Sequence, residues 1–364
     1  MRRGRWLVLA CVALVSLWLL ASSVTSRYAG FQHEVFVDIP KGTSLRGVAA
    51  RLAEAGVTPS RWQFLLVRAL RPAARLKAGE YLFRKPASVW EVFDRIARGD
   101  IFYYELTVTE GHNIFDIAAA LDRLDVLPGQ KFLEAARDPS MIRDLDPQAP
   151  ALEGYLFPDT YRLARHTTPR QLCRLMTERF RKAWQQLGAP KVDVHATLTL
   201  ASLVEKEARL KEDRPLIASV FLNRLRLRIP LQCDPTAIYA ALLEDRYRGV
   251  IHRSDLERRQ LYNTYQYAGL PPGPIANPGL AALEAVLHPA QTGYLYFVIR
   301  PDGSGGHQFS KELTTHERAV SKYRRALNKN HQTRPTPPVP GAKPAGRDRG
   351  NRVARPAGAA RANF

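Results

Sequence analysis

Residues Leu198 to Ala208 read LTLASLVEKEA, an apolar run that ends in two glutamates around one lysine. A carboxylic acid set against an apolar wall is poorly hydrated, keeps its proton towards neutral pH, and can act as a general acid at a glycosidic oxygen. At about 100° per residue the run makes a helix whose apolar stripe centres on Leu200, with Leu203, Val204, Ala208 and Leu210 along it. Glu207 falls about 20° from Leu200 and Glu205 about 140° away, so the spacing predicts Glu207 on the buried stripe and Glu205 on its flank. The alternative is a glutamate at the rim of the stripe, ion-paired with an arginine such as Arg214 or Arg224, because ion pairs also perturb carboxylates.

Three further stretches concentrate polar chemistry. RIPLQCDPTAIYA (Arg228 to Ala240) joins a strand-like end to an Asp-Pro turn and a new helix, which Asp234 and Thr236 are placed to cap. LYNTYQYAGLPPGPIANPG (Leu261 to Gly279) is too polar and too broken for a core element and reads as a long surface loop. Tyr262, Tyr265 and Tyr267 could stack on sugar faces while Asn263 and Gln266 bond hydroxyl and acetamido groups; equally, the loop could be pinned by its own tyrosines. The same two readings apply to LEGYLFPDTY (Leu152 to Tyr161), where Glu153 and Asp159 flank an aromatic turn. His307, and the pair His316 and Glu317, lack the spacing of metal ligands, and no phosphate-cradling glycine loop or nucleophile elbow is present.

The elements that must position these residues follow from periodicity. Glu34 to Ile39 alternates as a half-buried strand, and GTSLRGVAARL (Gly42 to Leu52) continues it as a helix. The unit recurs as strand Glu105 to Thr109 with GHNIFDIAAAL (Gly111 to Leu121), and more weakly as Glu80 to Phe83 with SVWEVFDRI (Ser88 to Ile96). The spacing therefore predicts a small α+β subdomain over 34–100 and a third copy of the unit at the start of the next domain. Over 101–330 the pattern is mainly helical, with helices over Arg170 to Leu187, Ala196 to Leu210, Arg214 to Leu227 and Pro278 to Leu287. A β-hairpin follows from Tyr294, its turn marked by Asp-Gly and Gly-Gly, and Thr314 or Thr315 caps a last helix.

Trp6 to Val24 is an apolar run of 19 residues behind three arginines, which predicts a transmembrane anchor over 1–27 with a cytoplasmic N-terminus and everything after it outside; a signal peptide is the rival. The 364 residues carry a net charge of +20, but 331–364 alone contributes +6 from seven Lys/Arg and one Asp, among Pro, Gly and Ala that cannot build a core. Behind an anchor such a tail faces anionic lipid or an acidic wall polymer, or equally is solvated with no specific partner, and the topology argues against nucleic acid. Cys11 lies in the anchor, and Cys173 and Cys233, with no metal or redox spacing, read as two buried thiols or, at most, one weak disulfide.

Taken together, EGYLFPDTY, LASLVEKEA, VFLNRLRLRIPLQCDPTAIYA, YNTYQYAGLPPGPIANPGLAALEAVLHPA and YLYFVIRPDGSGGHQFS resemble, in order, the MltG or YceG-like family of membrane-anchored endolytic murein transglycosylases. The resemblance implies an N-terminal helix, a LysM-like subdomain matching 34–100, and a catalytic domain over 101–330 in the periplasm, anchored in the inner membrane. It implies cleavage of the β-1,4 bond between N-acetylmuramic acid and N-acetylglucosamine in nascent glycan strands, leaving 1,6-anhydro ends, with Glu207 as the catalytic carboxylate. Glu205, Glu153, Tyr155, Gln232, Asp234, Thr236, Asn263 and Tyr265 are then the substrate-binding or supporting residues. No metal and no cofactor is expected; the partners are peptidoglycan strands, membrane lipid and peptidoglycan synthases. Cys233 departs from the family, which favours a small polar residue there. A non-catalytic peptidoglycan-binding scaffold is the alternative function.

Overall fold

Three times the chain builds a five-residue strand and starts a helix ten residues after the strand's first residue. The computed structural model describes residues 2–333, in two units; the basic tail read at 331–364 lies, beyond residue 333, outside the described residues. After helix α1 (Arg2–Thr25), the first copy is β1 (Val35–Ile39) and α2 (Leu45–Glu54). A helix not expected from the sequence, α3 (Arg61–Leu70), precedes the second copy, β2 (Gly79–Phe83) with α4 (Val89–Arg98). The third is β3 (Tyr104–Val108) with α5 (Ile114–Leu124). Gly42 and Gly111 turn the first and third copies at φ of 84° and 80°, a conformation that a Cβ disfavours. Local capping then starts each helix: Ser44 accepts from the Gly47 amide, Ser88 and Glu91 form a capping box, and Asn113 Oδ1 accepts from the amides of Phe115 and Asp116.

In the first unit β1 and β2 pair antiparallel, with Val37 opposite Tyr81. Helices α2, α3 and α4 close a core of Ile39, Leu52, Phe64, Val67, Phe93 and Ile96. The unit runs to Leu106 and also takes in 124–126 and 160–167, which hold most of β4 (Asp159–Leu163), the partner of β3.

The second unit is mainly helical: α6 (Gly129–Ala136), α7 (Pro169–Gln186), α8 (Val194–Glu207), α9 (Arg214–Arg226), α10 (Asp234–Leu243), α11 (Arg253–Glu257) and α12 (Leu280–Leu287). The hairpin of β5 (Tyr296–Ile299) and β6 (His307–Ser310) pairs Ile299 with His307, and α13 (Leu313–Thr333) follows. Helix α8 is the axis, packed by α9, α10 and α12. All seven residues from Leu198 to Val204 are buried, including Thr199 and Ser202, so the helix has no solvated face along that run and the single apolar stripe expected from the sequence is corrected. A helix surrounded by neighbours is apolar all round, which blurs any one-sided pattern.

Candidate active site

Glu207 is the last residue of α8, where the buried helix emerges into a cavity of about 630 Å³ in the second unit. That volume is typical of small-molecule sites. Its carboxyl is partly open to the cavity, and the thiol of Cys233 donates to Oε1 at 3.2 Å. Loss of water pushes the Glu207 pKa from 4.5 up to about 7; the thiol pulls it back down, and the charge of Asp234 adds to the rise. Its place at a helix C-terminus, the negative end of the macrodipole, works in the same direction as burial. Cys233 is itself buried, and burial followed by the charge of Glu207 holds its thiol well above 9, so it stays a donor rather than a thiolate.

The Cys233 turn is built from backbone and hydroxyl groups. The Gln232 amide donates to the Thr264 carbonyl at 3.2 Å and the Cys233 amide to Thr264 Oγ1 at 3.1 Å, which clips the turn to the loop after α11. Thr236 Oγ1 donates to the Cys233 carbonyl at 2.6 Å and shares a hydroxyl bond of 2.9 Å with Thr264. Gln232 pays for this geometry with a φ of 51°, in the left-handed region that non-glycine residues avoid. Asp234 accepts the Tyr265 hydroxyl, and burial raises its pKa against that bond. The predicted caps of α10 are corrected: neither Asp234 nor Thr236 caps it, because both are committed to the loop.

Of the residues predicted from sequence, Glu207, Gln232, Asp234 and Tyr265 line the cavity. Glu205 does not; its side chain, 5% exposed, accepts from Arg214 Nη2 at 3.1 Å and the Gly279 amide at 3.0 Å. The ion pair weighed for Glu207 thus belongs to Glu205. Glu153, read from the sequence as a substrate-binding or supporting residue, lies in the interior, where it accepts from the Ile114 amide at 2.9 Å, Tyr239 Oη at 3.0 Å and Asn277 Nδ2 at 3.0 Å. Tyr155, fully buried, donates to Asp146 and packs edge-on against Phe180. Asn263, with no exposed surface, spends its amide on the carbonyls of Asp255, Leu256 and Arg258, and Thr236 is equally enclosed. Asp159 pairs with Arg179 at 2.6 Å. The loop's tyrosines divide between the two readings: Tyr262 packs on Tyr239, whereas Tyr265 faces the cavity.

Sequence reasoning missed the opposite wall. Arg224 from α9 is buried; its Nε donates to the Leu295 carbonyl at 2.7 Å and its Nη1 to the carbonyls of Pro230 and Leu231 at 3.1 and 3.0 Å. Its guanidinium lies 5.1 Å from the Tyr296 ring, and His316 stacks on the same ring at 5.1 Å and 20°. Burial, then the Arg224 charge, keeps the His316 pKa below 6.5. His307 also lines the cavity, with Nδ1 held 2.8 Å from Asp213 Oδ2, which accepts the His307 amide as well. The available signal was helical spacing: His316, Val320 and Arg324 recur every four residues and line the cavity from one face of α13.

The first unit has a shallower concavity of about 800 Å³ beside β2. Its charges pair at the surface, Arg95 with Asp100 and Arg162 with Glu105, so it offers no acid comparable to Glu207.

Residues 37–322 match the profile of the YceG-like family. Over 309 residues the chain is 35% identical to the endolytic murein transglycosylase of Bacillus subtilis (strain 168), covering 79% of this chain and 84% of that protein. It is 28% identical over 327 residues to the endolytic murein transglycosylase of Streptococcus pneumoniae serotype 2 (strain D39), covering 79% of this chain and 58% of that one, so it spans less than two thirds of the pneumococcal protein. The crystal structure of a YceG-like protein from Listeria monocytogenes aligns with a TM-score of 0.52 at 31% identity, covering 79% of this chain and 99% of that one.

Proposed function

The chain belongs to the YceG-like family, and from that premise we propose that it is a membrane-anchored lytic transglycosylase that cuts nascent peptidoglycan strands. Glu207 is the acid and then the base. Protonated near neutral pH, it gives its proton to the oxygen leaving C1 of the N-acetylmuramic acid ring as that glycosidic bond breaks. The resulting carboxylate takes the proton from the ring's own C6 hydroxyl, whose oxygen bonds to C1. The proton count closes without water, and the product carries a 1,6-anhydro end. A second carboxylate to activate water, as hydrolases need, is therefore unnecessary. The substrate's N-acetyl group helps to stabilise the oxocarbenium-like state.

The observation that carries this reading is a carboxyl at a cavity, starved of water and bonded to one neutral thiol. Gln232, Tyr265 and the Arg224–Tyr296–His316 wall supply hydrogen-bonding and flat surfaces for the sugars. The Arg5–Thr25 span, 21 residues containing an 18-residue stretch of mean hydropathy 2.5, supports anchoring. The resemblance to LysM gives the 34–100 region a glycan-holding role. The test is mass spectrometry of glycan digested by wild type and Glu207→Gln. Wild type releases 1,6-anhydromuropeptides and the variant, equally folded, does not; reducing ends without anhydro product, or full activity in the variant, would sink the assignment.

A further inference from the structure

Helix α3 is apolar on two opposite faces. Phe64 and Val67 are fully buried in the first unit's core. About 140–160° around the helix from both, Trp62 and Ala69 face outward, and Leu70 is exposed at the helix end, with Trp62 67% and Leu70 61% exposed, while Leu66 packs on the core. An outward tryptophan on a helix already satisfied by its inner face contributes nothing to the core. The question is what covers it.

The anchor supplies a ruler. Its apolar run of 19 residues, Trp6 to Val24, is about 28 Å long as a helix, close to the roughly 30 Å of a bilayer's hydrocarbon core. The end of that span therefore lies at the headgroup boundary, and α3 is fastened there. Gln63 Nε2 donates to the Ser23 carbonyl at 3.1 Å, and Val24, 5% exposed, is built into the same core as Phe64 and Val67. Trp62 is the residue next to Gln63, so its depth is set within a few ångströms by the anchor. Arg61, also exposed, carries its guanidinium 5.5 Å from the Trp62 ring, which places a cation beside the aromatic.

We infer that the outer face of α3 is a second membrane attachment, lying in the lipid interface with Trp62 among the glycerol and upper acyl groups and Arg61 on headgroup phosphates. The chemistry fits lipid better than a protein groove: tryptophan prefers the bilayer interface, and basic residues beside it gain from anionic headgroups. Two attachments, a spanning helix and a surface helix fixed to its end, hold the first unit against the membrane rather than on a free tether.

This rests on the anchor in the proposed function, and the experiment separates the two. The full chain and Trp62→Phe are reconstituted into vesicles of phosphatidylcholine and phosphatidylglycerol, with bromine on the acyl chains at carbons 6,7 or 11,12. Both proteins float with the vesicles. The emission lost in Trp62→Phe, which isolates Trp62 from the other four tryptophans, is quenched about twofold more by the shallow than by the deep bromines and is shielded from aqueous acrylamide. Flotation with a Trp62 signal indifferent to bromine and open to acrylamide overturns the surface attachment and leaves the anchor standing. Failure to float overturns both.

Discussion

Two glutamates of the helical unit are deprived of water, and they end in opposite surroundings. Burial pushes Glu153 up to about 8 and Glu207 up to about 7, so both are able to hold a proton near neutral pH. Glu153 accepts from three donors, one of them the first amide of α5, and lies away from the cavity. Glu207 has one weak thiol donor and opens to a space that can hold a ligand. An elevated pKa is thus common to a carboxyl sealed inside and to the one proposed to do chemistry. What separates them is unspent hydrogen-bonding capacity and access.

The largest effect that tests this contrast is on rate. Glu207→Gln is expected to lose about 10³-fold in kcat, with the unfolding midpoint unchanged or raised, as read by turnover of nascent glycan and by calorimetry. Glu153→Gln should do the reverse. Its amide sets an NH2 against one of three buried donors, which costs about 2–3 kcal/mol of stability, while kcat measured well below the midpoint stays within about twofold of wild type. A Glu153 variant that is inactive yet fully stable would break the comparison.

A smaller effect appears in the pH dependence of folding. The Glu207 pKa is raised on folding from 4.5 to about 7, so the folded state holds the proton more tightly than the unfolded state. That contribution is fully present below about pH 4.5 and is lost as pH rises to about 7. Glu207→Gln, which cannot ionise, should therefore gain about 1–3 kcal/mol over wild type at pH 8 and nothing at pH 4, measurable by urea unfolding at the two pH values. Equal differences at both would mean that Glu207 is better hydrated than its surroundings imply.

The smallest expected effect sharpens the role of Cys233. Because the general acid must be protonated, kcat/KM should fall as pH rises through about 7. Cys233→Ala removes the donor that stabilises the carboxylate and should move that limb up by roughly 0.5 in pH. Cys233→Ser, a stronger donor, should move it down by a similar amount. Both variants giving the wild-type profile would remove the thiol from any part in setting the acid.

How much of this was legible differs by element. The three strand-turn-helix copies could be read because strand alternation, a turn residue and a capping side chain are local properties of a dozen residues. Helix α3 was missed although Phe64 and Val67 give it one buried face, because it lies outside the repeated strand-turn-helix unit that guided the reading. For α8 the wheel's premise of one apolar stripe was wrong, since a helix packed by α9, α10 and α12 has no polar side along its buried run. The loop at 261–279 carried the right composition, yet nothing in its composition separates Tyr265, which faces the cavity, from Asn263, which is spent on three carbonyls.

By itself the sequence determined the three strand-turn-helix copies, the apolar span at the N-terminus, the family motifs and the helix that carries two glutamates. Those follow from side-chain periodicity and spacing along the chain. Tertiary structure alone decided that Glu205 is spent on Arg214 and Gly279, that Glu153 is sealed inside, and that residues as far apart as Glu207 and Arg324 share one cavity. Burial and hydrogen-bond partners belong to the packing of distant segments, and a carboxyl becomes an acid or a strut according to which of those segments reaches it.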